Sequence, residues 1–417
     1  MKFSSRLLLT LLALSISAGI SAQTTAPRPP TDVRIMAQPP ADPAPAPEPT
    51  PEPEPEPAPT VPTPSGSGIW ISRSEIMALP TSGSAWTKVY NDATSSWGPA
   101  SIADQNSKHD AKTMAGALVC VRTGDAAICD KAQKGVLAAI GTEFDLQPGS
   151  NEPGAWLEVG RNLTAYVIAA DLLGLRADGN PNSAGTRVES WIRGWLTKQL
   201  PDTHGKLRQM RPFGSGSNAD AQEGAAYSAV AAYLRDSKAL ARAWNAYRYF
   251  LCDPTATNAE NINLEQGVEA GWAHDNQRPC AVNPKGAKKT VPAGLPGAGT
   301  TNRIDGAIIN DMRRGGNYQH PPGWTQYPWT GLAGLVPAAV ILHRAGYPAF
   351  EVVDRAIWRT FDYLWWLRSV TGNTAWFDGD RGSAVIQLVN HYYKTNYPVK
   401  KPVDIGHVLG HTDWTHP

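Results

Sequence analysis

The chain has 417 residues, 41% of them hydrophobic, with 38 lysines and arginines against 37 aspartates and glutamates. That length and apolar fraction suffice for a large core. The net charge of +1 excludes a strongly basic nucleic-acid binder and an acidic, halophile-like shell. Proline is unevenly spread, with 16 of 36 between Gln23 and Gly68. Beyond that tract 34 basic residues face 31 acidic ones, a mild surplus that suits a polyanionic ligand met in one cleft.

Residues 1–22 read as a secretion signal. Lys2 and Arg6 supply the positive start, Leu7 to Ile16 the apolar stretch, and Ser21-Ala22 the small-residue end. The apolar run is too short for a stable transmembrane helix, so a secreted chain without a membrane span after cleavage is expected. No cysteine follows the cleavage region, which argues against a bacterial lipid anchor. Residues 23–68 repeat proline with alanine, glutamate and threonine, including Pro51-Glu52-Pro53-Glu54-Pro55. Such a tract populates extended polyproline II, and a disordered spacer is expected. The four cysteines of an exported chain suggest two local disulfides, Cys120–Cys129 and Cys252–Cys280.

Residues 69–417 form the expected folded domain. Apolar residues recur at three- and four-residue spacing over Val159 to Leu175, Arg187 to Leu200 and Ala221 to Leu234. The pattern continues over Ser237 to Leu251, Gly331 to Ala345 and Pro348 to Leu367. Alternating strand patterns are scarce, so an all-α architecture of stacked helix hairpins is predicted. Long connections at Asp253 to Asn310 and Gly315 to Gln326 are of the kind that often carry function.

The familiar nucleotide signals are absent. The stretch Gly294 to Gly299 is glycine-rich, yet no strand precedes it and no Lys-Ser/Thr completes a phosphate loop. Neither a G-x-S-x-G elbow nor an H-E-x-x-H motif occurs. His407 and His411 stand four apart with His416 nearby, a spacing open to a metal but better read as a packed or solvated tail. No metal and no other cofactor is therefore expected.

Two segments are chemically richer. Gly216 to Ala226 is a polar loop running into an alanine-rich helix, with Asn218 near its start, where an Asn also serves simply as a cap. Asn310 to His320 carries Arg313 and Arg314 and is followed by Trp324, Tyr327 and Trp329. Paired arginines and aromatic rings in one loop can hold carboxylated sugars, by forked hydrogen bonds and by stacking on ring faces. The plainer alternative is a surface loop whose arginines pair with Asp305 and Asp311.

With Asp104-Gln-Asn106-Ser-Lys-His109-Asp110, Arg122-Thr-Gly-Asp125, Val159-Gly-Arg161-Asn162, Ser217-Asn218, Arg313-Arg314-Gly315-Gly316, Asn390-His391-Tyr392 and Thr412-Asp413-Trp414-Thr415-His416, the chain resembles the alginate lyase-like family of polysaccharide lyases, with related glucuronan lyases. The resemblance spans Ile69 to Pro417. It implies an α/α toroid of helix hairpins around a cleft, an anionic polysaccharide substrate and a monomer. It further implies that Asn218 and Arg314 neutralise a uronate carboxylate, while Tyr327 takes the C5 proton and protonates the leaving O4. Asn106, His109, Arg161, Arg313, Tyr318, His320, Trp324 and His391 become candidate substrate-binding residues. The chemistry is physically reasonable, because a developing enediolate needs donors already in place, and a phenol beside a guanidinium has its ionised form favoured. One departure stands out. Ala219 follows Asn218 where alginate lyases commonly carry a histidine, which leaves any histidine role to His391 or His320.

Two other function classes fit less well. A glycoside hydrolase on an α/α barrel needs two carboxylates across the scissile bond, for which Asp220 or Glu223 with Asp378 or Asp380 are candidates. A non-catalytic glycan-binding envelope protein would suit the linker and the 15 tryptophans.

Overall fold

The computed structural model describes residues 68–145, 155–201, 206–274 and 278–417. The signal and nearly all of the proline-rich tract expected from the sequence lie outside the described residues. The fold is all-α, with strand limited, among the described residues, to two short ribbons. In chain order the helices are α1 (Arg73–Ala78), α2 (Gly83–Thr94), α3 (His109–Thr123), α4 (Ala126–Ala139), α5 (Ala155–Leu172) and α6 (Ala184–Gly194). They continue with α7 (Asn218–Leu234), α8 (Ser237–Phe250), α9 (Glu265–Glu269), α10 (Ile309–Met312), α11 (Tyr327–Arg344), α12 (Val352–Thr371), α13 (Ser383–Tyr393) and α14 (Thr412–Thr415). The ribbons are β1 (Gln199–Pro201) with β2 (Leu207–Gln209), and β3 (Lys288–Thr290) with β4 (Thr301–Arg303), both antiparallel.

Local side-chain caps set four of the helix starts. Ser72 and Glu75 form a reciprocal capping box at α1, and the Asp125, Ser183 and Asp236 side chains accept first-turn N–H groups of α4, α6 and α8. The helix expected to reach Leu200 stops at Gly194. Beyond it the chain turns and enters β1, where Pro201 could not have continued a helix.

The alanine-rich α7 is buried on nearly every face. Two glycines let its neighbours approach: a Cβ on Gly160 of α5 would lie 2.6 Å from the Glu223 nitrogen, and one on Gly334 of α11 only 2.3 Å from the Ala221 carbonyl carbon. Neighbours continue on both sides. α3 packs on α5, α5 on α7, α7 on α11, α11 on α13, α13 on α14, α14 on α2 and α2 on α3. Near their starts α5 and α11 meet the first turns of α7, and near their ends all three border one cavity with Leu172, Ala232 and Ile341, so they run in the same direction. The returning chain includes α4, α6, α8 and α12.

Both expected disulfides are present, with Cα–Cα separations of 4.8 Å for Cys120–Cys129 and 5.1 Å for Cys252–Cys280. The first ties α3 to α4; the second ties the end of α8 to the long connection that leads into α10. α12 departs from the uninterrupted helix that its periodicity predicts. Val353, Asp354 and Arg355 adopt left-handed φ of 51°, 52° and 58°. Buried Arg359 compensates by donating to the Val353 and Asp354 carbonyls while pairing with Asp305 at 2.5 Å.

No helix among the described residues is long and apolar enough to cross a membrane.

Candidate active site

Two helix starts and one short connection build the site. Asn218 is the first residue of α7, and Tyr327 is the first residue of α11. Between them lies the segment of α10 and the 3-10 turn Arg313–Gly315. The parallel course of α7 and α11 brings both N-termini to one end, where the helix dipoles favour negative charge, although the Asn218 N–H is taken by Asp311 and the Tyr327 N–H by the Thr325 hydroxyl.

Asp311 joins the pieces. Its Oδ1 accepts the Asn218 backbone N–H at 3.1 Å and the Asn218 side-chain amide at 2.9 Å. The residue is 1% exposed, its Oδ2 has no hydrogen-bond partner, and it faces Gly331 so closely that a Cβ there would lie 2.3 Å away. Burial pushes the Asp311 carboxyl up from 3.8 to about 7, against the pull of the Asn218 donors and of Arg314 and Arg313. Arg314, exposed, donates to the Tyr327 hydroxyl at 2.9 Å, with its guanidinium 4.3 Å from the ring centre.

Arg161 of α5 enters from the other side. Its Nε donates to Gln222 at 3.2 Å, and Nη1 reaches the carbonyl and side chain of Gln105. Gln222 in turn donates to the Thr330 carbonyl at 2.9 Å, so Arg161 is braced against α7, α11 and the loop before α3. It lies within electrostatic reach of Tyr327. Beside this cluster opens a cavity of about 490 Å³ lined by Asn106, Lys108, Gln326, Thr330, Arg381 and His407 among others. Arg381 donates to Gln326 at 2.7 Å and lies over the Trp324 ring at 5.1 Å. Lys108 and Arg381 share the cavity wall with Asp380 and Asp404, and Arg161 stands within electrostatic reach of His407 on that wall.

The structure therefore gathers Asn218, Arg314, Tyr327, Arg161, Asn106 and Trp324 at one end of the parallel helices. Arg313 is close by, with its guanidinium engaged by the Gln266 side chain. The remaining residues that the sequence nominated lie elsewhere. His109 is a core residue: it is 6% exposed, shares its Nδ1 with the Tyr166 hydroxyl at 2.8 Å, and burial with nearby Lys112 and Lys131 pushes it down to about 4. Tyr318 is 3% exposed, packs edge-on against Trp272 and donates to the Lys289 carbonyl at 3.0 Å, which removes it from the cleft surface. His320 stacks near Trp366. His391 lies at the far end of α13, against the Pro417 carbonyl and the His416 ring, away from the N-terminal ends where Asn218 and Tyr327 meet. Neither His320 nor His391 is brought to Asn218; His407 is the histidine on the cavity wall.

The pairing weighed for Asp305 and Asp311 is also different. Asp305 binds Arg359, and Asp311 binds Asn218. Of the hydrolase candidates, Asp380 is on the cavity wall and pairs with Lys400, and Asp378 lies 3.9 Å from Arg381. Glu223 is fully buried, takes Arg208 in a two-point pair at 2.7 and 2.8 Å and accepts the Arg211 N–H; Asp220 accepts from Ser215 and Ser217. The spacing of His407, His411 and His416 is not helical, because α14 starts only at Thr412, and His411 and His416 are buried in separate surroundings against Asp92 and Trp70.

Sequence reasoning missed Asp311 as the partner of Asn218, and Arg381 and His407 as parts of the cavity. Only the presence of Asp311 three residues before Arg314 could have hinted at the first. Neither a search against profiles of known protein families nor one against curated proteins gives a match to this sequence.

Proposed function

We propose that the chain is an exported polysaccharide lyase that cleaves a uronic-acid-containing polymer, such as glucuronan or alginate, by β-elimination. The single observation that carries this reading is the Arg314–Tyr327 hydrogen bond held beside Asn218 by the α10 segment, next to a polar cavity whose wall includes Lys108 and Arg381. In this reading the Asn218 amide and Arg314 neutralise the C6 carboxylate of the bound uronate, which acidifies the C5 proton and stabilises the enediolate. The Tyr327 oxygen, already oriented by Arg314, takes that proton. The C5–H electrons then form the C4=C5 bond as the C4–O4 bond breaks, and O4 leaves with a proton returned from Tyr327. Arg161, Arg381 and Lys108 supply further positive charge for neighbouring carboxylates, and Trp324 an exposed face for sugar stacking.

The unbroken circuit of helix neighbours from α3 through α13 and α14 back to α2 supports an α/α toroid. The two disulfides support an oxidising, extracytoplasmic destination. The commitment of Glu223 to Arg208 weighs against hydrolysis by a carboxylate pair.

The test is to incubate the purified chain with glucuronan, alginate, hyaluronan and chondroitin and to follow the ultraviolet absorbance of the conjugated C4=C5 bond. Growth of that absorbance with one of them is expected. New reducing ends without absorbance would mean hydrolysis, and neither signal with any polymer would remove the lyase reading.

A further inference from the structure

Away from the N-terminal ends of α7 and α11, three side chains form a group that the proposed elimination does not use. Cys252 follows α8, Cys280 opens the segment that pairs through Val282 with Ile308, and His274 lies between them in sequence. One ligand atom from each of the three lies within 4.8 Å of the others. All are buried, at 8%, 0% and 9% exposure for Cys252, Cys280 and His274. The His274 Nε2 is buried without a hydrogen-bond partner. Its backbone is anchored: the His274 N–H donates to Asn283 Oδ1 at 3.3 Å, and the Asn283 amide donates to the Trp272 and Ile304 carbonyls at 2.8 and 3.1 Å.

A buried ring nitrogen without a partner costs about 1–3 kcal/mol, so its retention asks for a reason. In the oxidised chain the two sulfurs are bonded to each other and cannot serve His274. In the reduced chain they become two thiols beside an imidazole, which on loss of the thiol protons to a metal give the donor set that suits a borderline-soft d10 cation. Ligand atoms around tetrahedral zinc lie roughly 3.3–3.8 Å apart, given Zn–S near 2.3 Å and Zn–N near 2.0 Å. The sulfurs need only separate by a side-chain movement to reach that spacing, because their backbones already stand 5.1 Å apart.

We propose that Cys252, His274 and Cys280 form a two-state site, closed as a disulfide when oxidised and binding Zn2+ when reduced. The chemistry balances. An external dithiol delivers two electrons and two protons to the Cys252–Cys280 bond and becomes a cyclic disulfide. Zn2+ then displaces the two thiol protons and takes the His274 lone pair, leaving a fourth position for water. This inference is independent of the lyase reading.

The full chain, reduced with a phosphine and kept anaerobic, is titrated with Co2+ as the spectroscopic probe and then with Zn2+. Expected are a near-ultraviolet thiolate-to-cobalt band saturating at one equivalent, its loss on adding Zn2+, and its absence from the oxidised chain. Cys252→Ser should abolish the band, and both His274→Ala and the bulkier His274→Gln should weaken cobalt binding at least ~10-fold, with circular dichroism as the folding control. A band undiminished in Cys252→Ser but lost when Cys120 and Cys129 are replaced would place the metal on that pair and overturn the proposal. Cobalt binding undiminished in both folded His274 variants, or no thiolate band in the reduced wild type, would overturn it equally.

Discussion

Asp311 offers a test of the site that needs no substrate. Its carboxyl is displaced upward from 3.8 to about 7, so between those values the folded chain keeps a proton that the unfolded chain has released. Stability must therefore fall as pH rises through that window; the penalty is absent below about 4 and complete above about 7. At ~1.4 kcal/mol per pH unit the full effect is on the order of 4 kcal/mol, with the opposing pull of the Asn218 donors and the two arginines already included. Asp311→Asn keeps the shape and an oxygen for the Asn218 N–H and amide, yet cannot titrate. Urea unfolding of both proteins at a series of pH values isolates the contribution. Wild-type stability measured relative to Asp311→Asn should decline by a few kcal/mol from pH ~4 to pH ~8. Two curves that stay parallel would show that Asp311 titrates alike in the folded and unfolded chains. The argument that burial dominates its environment would then be wrong.

Further outcomes follow from the same contacts. Tyr327→Phe should lower the rate of double-bond formation by at least ~10²-fold with polymer binding retained, and Asn218→Ala should lower it strongly as well; initial rates on the polymer that proves to be the substrate decide this. Tyr318→Phe should leave the rate nearly unchanged and cost about 1 kcal/mol of stability, through loss of its bond to the Lys289 carbonyl, read as a shift in urea midpoint. Gly334→Ala should destabilise by about 3 kcal/mol or more, since its Cβ meets α7 backbone at 2.3 Å and neither helix can yield; a melting temperature equal to wild type would refute that packing. Replacing Cys120 and Cys129 together by alanine should cost about 2–3 kcal/mol while leaving the helices formed, as measured by denaturation of the oxidised proteins.

What the sequence displayed and what it hid divide along a physical line. The start of α8 was legible at Ser237, because the Asp236 side chain meets N–H groups two and three residues ahead and such chemistry is local, whereas α4, capped in the same way by Asp125, went unpredicted. The course of α12 was not. Its left-handed turn depends on Arg359, whose partner Asp305 is 54 residues away, and no periodicity carries such a contact. The same holds for Asp311 and Asn218, 93 residues apart and joined only because α7 and α11 run parallel. Motif matching located Asn218, Arg314 and Tyr327 in the chain but carried no information on burial, and so it treated His109 and His391 as equals of Arg161. His109 occupies the first turn of α3 yet points into the core, and His391 ends α13 instead of beginning it. A residue's position along its helix decides which end of the bundle it reaches. Asn218 and Tyr327 each open a helix, and α7 and α11 share a direction. Their side chains consequently stand at the same end of the bundle, where two helix dipoles present positive ends and where Arg314 and Arg161 add charge, with Lys108 and Arg381 facing Asp380 and Asp404 nearby. Under the proposed function, this shared end of α7 and α11 is where the substrate carboxylate is expected.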